Sequence, residues 1–449
     1  MTALNLAGLL GIQLLCFAGI FLFYRGLAGR GFETWMSFSF LTFIAVIGLY
    51  VYDFLRMPGY MRWYFITPDE YSILLLLSGI FVLCVMAGEY AGRRMVARKK
   101  VHVEKPRLYL QIAALLFFVG AVGMAVFISQ SGGFLAKYSA THGASANFTT
   151  AYIYRLPLSL FTAIFILMIH RLSGRSISRT LKLLMVFGAV FLFFDAFTQG
   201  KRGNTIRFVL LILVPFYVYG YLTRARQLPA LLLLGTAMVL LNFLPYLRQA
   251  TSLSTLGNFT EVVRNLPELS DKTGREMRVY LEGKHVIFAA NTLSGAMERY
   301  DPNYGVRWTF PIVNLIPRAV WADKPSRYDM GTTTYQVFDS TEDFFIPSGS
   351  HTGGMVESFI EWGLFVVFFW FFFGFIGGYL LKHVRQYRGY FLSVMLFGYY
   401  SFYVQFLLQD TVAGLLFWIF TVGPFLVFCG LSALLPRSRA ASACLTHAD

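Results

Sequence analysis

The sequence predicts an all-α polytopic membrane protein. About eleven transmembrane helices are expected, twelve if one further helix is inserted, with one large, partly helical loop between spans eight and nine. Three observations lead there. Of 449 residues, 57% are hydrophobic and only 14% charged, where a globular chain carries about 25% charged residues. Apolar runs close to the roughly 20 residues needed to cross a bilayer recur along the chain. Lys and Arg gather in alternate short connections, as the positive-inside rule requires.

The expected spans cover 4–24, 35–54, 70–90, 108–129, 151–172, 179–197, 205–222, 229–247, 355–381, 390–408 and 412–435. Arg25 and Arg30 follow the first. Arg93, Arg94, Arg98, Lys99, Lys100, Lys105 and Arg107 follow the third. Arg171, Arg175, Arg179 and Lys182 follow the fifth, and Arg224 and Arg226 the seventh. Lys382, Arg385 and Arg388 follow the ninth, and Arg437 and Arg439 the eleventh. These are more than half of the 38 Lys and Arg, so this side is read as cytoplasmic. The N-terminus then lies outside and the C-terminus inside. The chain divides into a bundle at 1–247, a periplasmic loop at 248–354, and a second bundle with a cytoplasmic tail at 355–449.

The net charge of +15 does not indicate nucleic acid, because the cations sit in short loops and not on one soluble face. The bilayer is the expected partner. Cys16, Cys84 and Cys429 lie in apolar spans and Cys444 in the tail, so neither a disulfide framework nor a zinc site is expected. No cleavable leader is expected, since no basic stretch precedes the first span.

The stretch 247–361 is the one long segment that is not apolar. Its cations and acids are balanced, and it is rich in aromatic residues. Held against a bilayer, such a segment suits polar chemistry on a lipid-borne substrate. Three constellations stand at or near this face. Lys201, Arg202 and Arg207 break the positive-inside rule between spans six and seven. With Asn204 capping the next helix, they would converge on a helix N-terminus and form an anion site, most simply for phosphate. Snorkelling to lipid phosphate is the alternative. Arg155 and Asp195 lie within spans five and six and suit a structural ion pair.

Inside the loop, Arg278, Glu282 and His285 share one face if 274–300 is a helix, with Arg275 beside them. They suit either a solvated salt-bridge stripe or, for Arg278, a second phosphate ligand. The segment 317–325 has prolines at both ends and reads as a rigid turn presenting Arg318 and Lys324. Trp308, Trp321, Tyr328 and Tyr335 suit either sugar stacking or an interfacial aromatic belt. Finally His351, in a Gly-rich run that reads as a small flexible loop, precedes Glu357 and Glu361, which are four apart. An outward-facing acid pair with a His is suited to taking a proton from a sugar hydroxyl.

Taken together, the outer Gly-Lys-Arg-Gly hairpin at 200–203, the Pro-Arg…Trp…Asp-Lys-Pro run at 317–325 and the His-Thr-Gly-Gly…Glu…Glu-Trp-Gly run at 351–363 resemble the bacterial O-antigen polymerase family. These are metal-independent membrane glycosyltransferases related in fold to O-antigen ligases. The resemblance implies a donor glycan and an acceptor repeat unit, both carried on undecaprenyl pyrophosphate. It implies that Arg202, Arg207, Arg278 and Arg318 bind the pyrophosphate, with His351 as base, Glu357 the next candidate, and Lys201, Lys324, Glu361 and His285 secondary. It implies no cofactor or metal, and a chain-length regulator as partner. Three other readings stay open. A ligase would share the layout and differ in its final acceptor. A lipid-linked oligosaccharide flippase would show paired repeats, broken helices and midplane charges. A polyprenyl-phosphate sugar transferase, with an early outer acidic pair, has candidates only in Asp69 and Glu70.

Overall fold

The computed structural model describes residues 3–26, 31–57, 66–95, 105–130, 153–198, 202–220, 284–316, 320–326, 329–339 and 351–434, and no strand occurs among them. The long helices are α1 (Ala3–Arg25), α5 (Pro68–Arg94), α6 (Pro106–Gln130), α7 (Ser159–Leu172), α8 (Arg179–Thr198), α9 (Arg202–Val218), α10 (Lys284–Arg299), α14 (Val366–Tyr387), α15 (Tyr390–Leu408) and α16 (Thr411–Leu434). Shorter ones are α2 (Gly31–Trp35), α3 (Phe38–Val46), α4 (Asp53–Arg56), α11 (Phe310–Leu315), α12 (Thr334–Asp339) and α13 (Gly354–Trp362). Eight helices among the described residues are long and apolar enough to cross a membrane. The chain is a polytopic membrane protein. α8 and α9 stand where spans six and seven were expected, and the eighth expected span, 229–247, lies outside the described residues.

Local chemistry sets the helix ends. α5 begins early because Thr67 and Glu70 form a capping box and Pro68 occupies the first turn. Span five begins late as an α-helix. Pro157 lacks an N–H, so 153–158 is a 3-10 turn and regular α-helix starts at Ser159. Span two is not one plain helix either. Ser37 caps α3, and a π-helical segment at Ile47–Tyr52 joins it to α4. Span nine is broken. α13 ends at Gly363, whose φ of 54 and ψ of −137 no residue with a Cβ adopts easily, and a 3-10 turn leads into α14.

A glycine seam locks α5 to α14. Gly88 and Gly92 face the Phe371 and Phe375 carbonyls, while Gly374 and Gly378 face the Val85 and Glu89 carbonyls. A Cβ at Gly88 would stand 1.9 Å from the Phe371 oxygen. Two small-xxx-small faces therefore meet backbone to backbone, the approach that dispersion favours where water supplies no drive. The Phe-rich stretch divides between two environments. Trp370 and Phe373 are buried, whereas Phe365, Phe368 and Phe372 are exposed. α15 fills the interior with tyrosines whose hydroxyls all find acceptors. Tyr399 donates to the Phe373 carbonyl at 2.6 Å, Tyr400 to the Met36 carbonyl, and Tyr403 pairs with Thr42 at 2.5 Å.

Part of the expected water-facing loop is core. Val286, Ile287, Phe288, Ala289, Ala290 and Leu293 of α10 are buried in the same cluster as the spans. The two ends of the bundle differ. At one end cations gather: Arg93 pairs with Glu89 and Glu33, Arg385 with Glu33, and Lys382 donates to the Met95 carbonyl at 3.2 Å. The other end carries α13, the start of α16 and the start of α9.

Candidate functional site

α13 is seated by its glycines. A Cβ on Gly353 would stand 2.6 Å from the Tyr50 hydroxyl, and one on Gly354 would stand 2.3 Å from the Phe406 carbonyl oxygen. Gly353 also has a φ of 79. The Tyr50 hydroxyl donates to the Thr352 carbonyl at 2.6 Å. The run 351–354 is thus a packed elbow, not the flexible loop its glycines suggested: they serve close approach.

The elbow turns one face of α13 inward. Glu357 and Glu361 share that face, as their spacing predicts, but they point into the protein, with 1% and 0% exposure. The outward-facing pair expected from the sequence is corrected: the apolar residues of α13 are themselves buried on several sides, and the acids find donors inside. Glu357 Oε2 accepts the Thr411 N–H at 3.1 Å and its hydroxyl at 2.7 Å. It thereby caps α16, whose first turn also binds Asp410 Oδ1 through the Ala413 N–H at 2.6 Å. Glu361 Oε1 accepts from Asn303 Nδ2 at 3.0 Å and lies 3.5 Å from Arg307 Nη1. Asn303 ties this group to a neighbouring strap through Thr332, giving and receiving bonds of 2.8 Å. Glu357 Oε1, Glu361 Oε2, Arg307 Nε and the indole N–H groups of Trp308 and Trp362 have no hydrogen-bond partner among the described residues. Burying such groups unpaired costs about 1–3 kcal/mol each, more when charged.

Arg207 joins the same end. α9 already runs from Arg202, so Asn204 lies inside the helix and does not cap it. Arg207 is 1% exposed. Its guanidinium lies 3.5 Å from the Phe417 ring centroid, and its Nη2 donates to Gln405 Oε1 at 3.1 Å. Gln405 Nε2 in turn donates to Gln409. Hydrogen bonds therefore link Arg207 to Gln405 and Gln409; the next residue but one, Thr411, binds Glu357; and Glu361, one turn along α13, lies against Arg307.

His285 and His351 meet, though through the backbone. His285 Nδ1 lies 3.0 Å from the His351 carbonyl oxygen and 3.4 Å from its N–H. One bond needs a protonated Nδ1 and the other a bare one, so the tautomer selects between them. Asp53 Oδ2 caps the start of α10 at the His285 and Val286 N–H groups, 3.1 and 3.4 Å away. Lys324 is not presented to solvent. It is buried and donates to the Asn314 and Ile316 carbonyls at 3.3 and 2.8 Å, capping the end of α11. Trp308 packs edge-on against Trp362 and Phe369, while Trp321 is exposed. Arg155 lies 5.6 Å from the Phe420 ring centroid.

Lys201, Arg278, Glu282 and Arg318 lie outside the described residues, as do the side chains of Asp195 and Arg202. Sequence reasoning passed over Asn303, Gln405, Thr411 and Asp53, and gave Arg307 no particular role. Gln405 and Asp53 carried a signal, each being a polar residue in an otherwise apolar run. Among the described residues, no three His, Cys, Asp or Glu side chains are placed to hold a metal ion.

The fold and this polar end define a helical membrane protein with a buried charged centre near one end of its bundle. No family model, curated protein or solved structure matches the chain.

Proposed function

We propose that this protein is a membrane glycosyltransferase that polymerises undecaprenyl-pyrophosphate-linked repeat units at the periplasmic face of a bacterial inner membrane. The proposal includes eleven spans, an external N-terminus and an internal C-terminus. The observation that carries it is the cluster of buried charged and polar side chains at one end of the bundle, which includes Arg207, Glu357, Glu361 and Arg307. Arg307 lies against one member of a carboxylate pair one helical turn apart, and Arg207 is buried at the same end, away from the cation-rich rim.

In this reading an acceptor hydroxyl loses its proton to a base and its oxygen attacks the donor's anomeric carbon. The bond to undecaprenyl pyrophosphate breaks, and that group leaves with the electron pair. Arginine positive charge stabilises the departing pyrophosphate. Arg207 serves there, with Arg202, Arg278 and Arg318. His351 is the base, with Glu357 the alternative through its Oε1. A chain-length regulator is a further partner.

A ligase would run the same chemistry to a different acceptor. Transport is favoured by one observation, the break in span nine at Gly363. However, α14 alone has 22 residues, about 33 Å of helix, enough to cross a bilayer by itself. The break then sits at the membrane edge and not at its midplane, where a transported group would bind.

The test is the glycan ladder of a null strain complemented with wild type, Arg207→Ala or His351→Ala at matched protein levels. A ladder with wild type and single repeat units with the variants supports the polymerase. Long lipid-linked chains already present in the null strain point to a ligase. Repeat units retained in the cytoplasm would sink the enzyme reading in favour of transport.

A further inference from the structure

At the cation-rich end, remote from the buried carboxylates, a cavity of about 700 Å³ opens between the start of α6 and the end of α7. Among the described residues its walls are Lys105, Pro106, Arg107, Leu110, His170, Arg175 and Ser176, with no carboxylate among these. The sequence reading used these cations only to orient the chain, and the proposed chemistry makes no use of them.

The wall is built and not merely crowded. Arg175 Nη1 donates to the Tyr390 hydroxyl at 3.0 Å, and its guanidinium carbon lies 5.7 Å from the Tyr390 ring centroid. The same hydroxyl lies 2.8 Å from His170 Nδ1, with the donor set by the imidazole tautomer. His170 is itself buried. Tyr109 stacks on Tyr390 with centroids 4.8 Å apart. A buried Tyr–His pair thus holds one nitrogen of the guanidinium of Arg175, which lines the cavity. Lys105, just before α6, and Arg107, in its first turn, also line it. Pro106 opens that helix, so its positive end adds to the same field. Leu110 supplies an apolar wall one turn further along.

We propose that this cavity binds a phosphate group. The pattern is one oriented guanidinium, two exposed cations and a helix N-terminus around a single space, which is how proteins hold a phosphate oxygen set. Two sources offer that chemistry: the headgroup of an anionic lipid, whose first methylenes would lie on Leu110 and Pro106, and free phosphate.

The test is calorimetric titration of the full-length protein in neutral detergent with short-chain phosphatidylglycerol, short-chain phosphatidylcholine and inorganic phosphate. The variants are Arg175→Ala, Lys105→Ala and, as a charge-matched control outside the cavity at the same end, Arg171→Ala. Saturable binding of phosphatidylglycerol but not phosphatidylcholine, weakened about tenfold by Arg175→Ala and by Lys105→Ala yet unchanged by Arg171→Ala, supports the site with a lipid source. The same variant pattern with inorganic phosphate binding as tightly supports it with a free-anion source. Binding of neither ligand above the phosphatidylcholine level, or equal weakening by Arg171→Ala, overturns it.

Discussion

Glu357 Oε2 receives both the backbone N–H and the hydroxyl of Thr411, at 3.1 and 2.7 Å. One carboxylate oxygen therefore holds the start of the last helix to α13, and the other has no hydrogen-bond partner among the described residues.

That division separates two variants. Glu357→Ala removes the cap and is expected to lower stability by about 1–2 kcal/mol, as lost helix caps do. Glu357→Gln keeps a carbonyl acceptor for Thr411 and is expected to fold close to wild type while losing any proton-accepting role. Thermal unfolding in detergent beside the glycan ladder reads both effects. A Gln variant that restores a full ladder would remove Glu357 from the chemistry.

Arg207→Lys is the sharper probe of the arginine. A lysine keeps the charge but cannot lie flat on Phe417 and also fork to Gln405. The expected result is normal membrane insertion with polymer reduced at least tenfold, about 1.4 kcal/mol in transition-state binding. Wild-type polymer with Arg207→Lys would show that a point charge is sufficient.

The α5–α14 seam predicts a steep local intolerance. Gly88→Ala places a methyl where the Phe371 carbonyl stands and is expected to cost about 1–3 kcal/mol. Gly430→Ala, on α16 with nothing within 4 Å of the added carbon, is expected to be neutral. Comparable melting temperatures for the two variants would contradict the backbone contact.

Orientation is tested by labelling. In a background without Cys16, Cys84, Cys429 and Cys444, a thiol at Tyr304→Cys should react with a membrane-impermeant maleimide on intact spheroplasts, and one at Gly174→Cys only after lysis. Both positions are exposed and lie at opposite ends of the bundle. The reverse pattern would invert the proposed topology and move the buried carboxylates to the cytoplasmic side.

The helical class and most span positions were legible because apolar length is a local property, visible in runs such as 390–408. Pro68 and Pro157 explain the shifted ends of α5 and α7, and both effects are local too. What stayed hidden depends on partners. Glu357 and Glu361 share a face by spacing alone, but whether that face meets water or Thr411 and Arg307 is decided by helices far along the chain. Gly353 and Gly354 likewise read as freedom until Tyr50 and Phe406 are set against them. Lys324 looked like a presented cation, and only the fold shows it closing the end of α11.

The glycine seam has a mechanical consequence. Where two helices touch through carbonyls and Cα atoms, they behave as a single beam, and neither an acyl chain nor a polyprenyl tail can pass between them. Any long-tailed molecule that reaches the interior must enter through a different wall of the bundle, and any movement that admits it must hinge against this beam and leave it unbent.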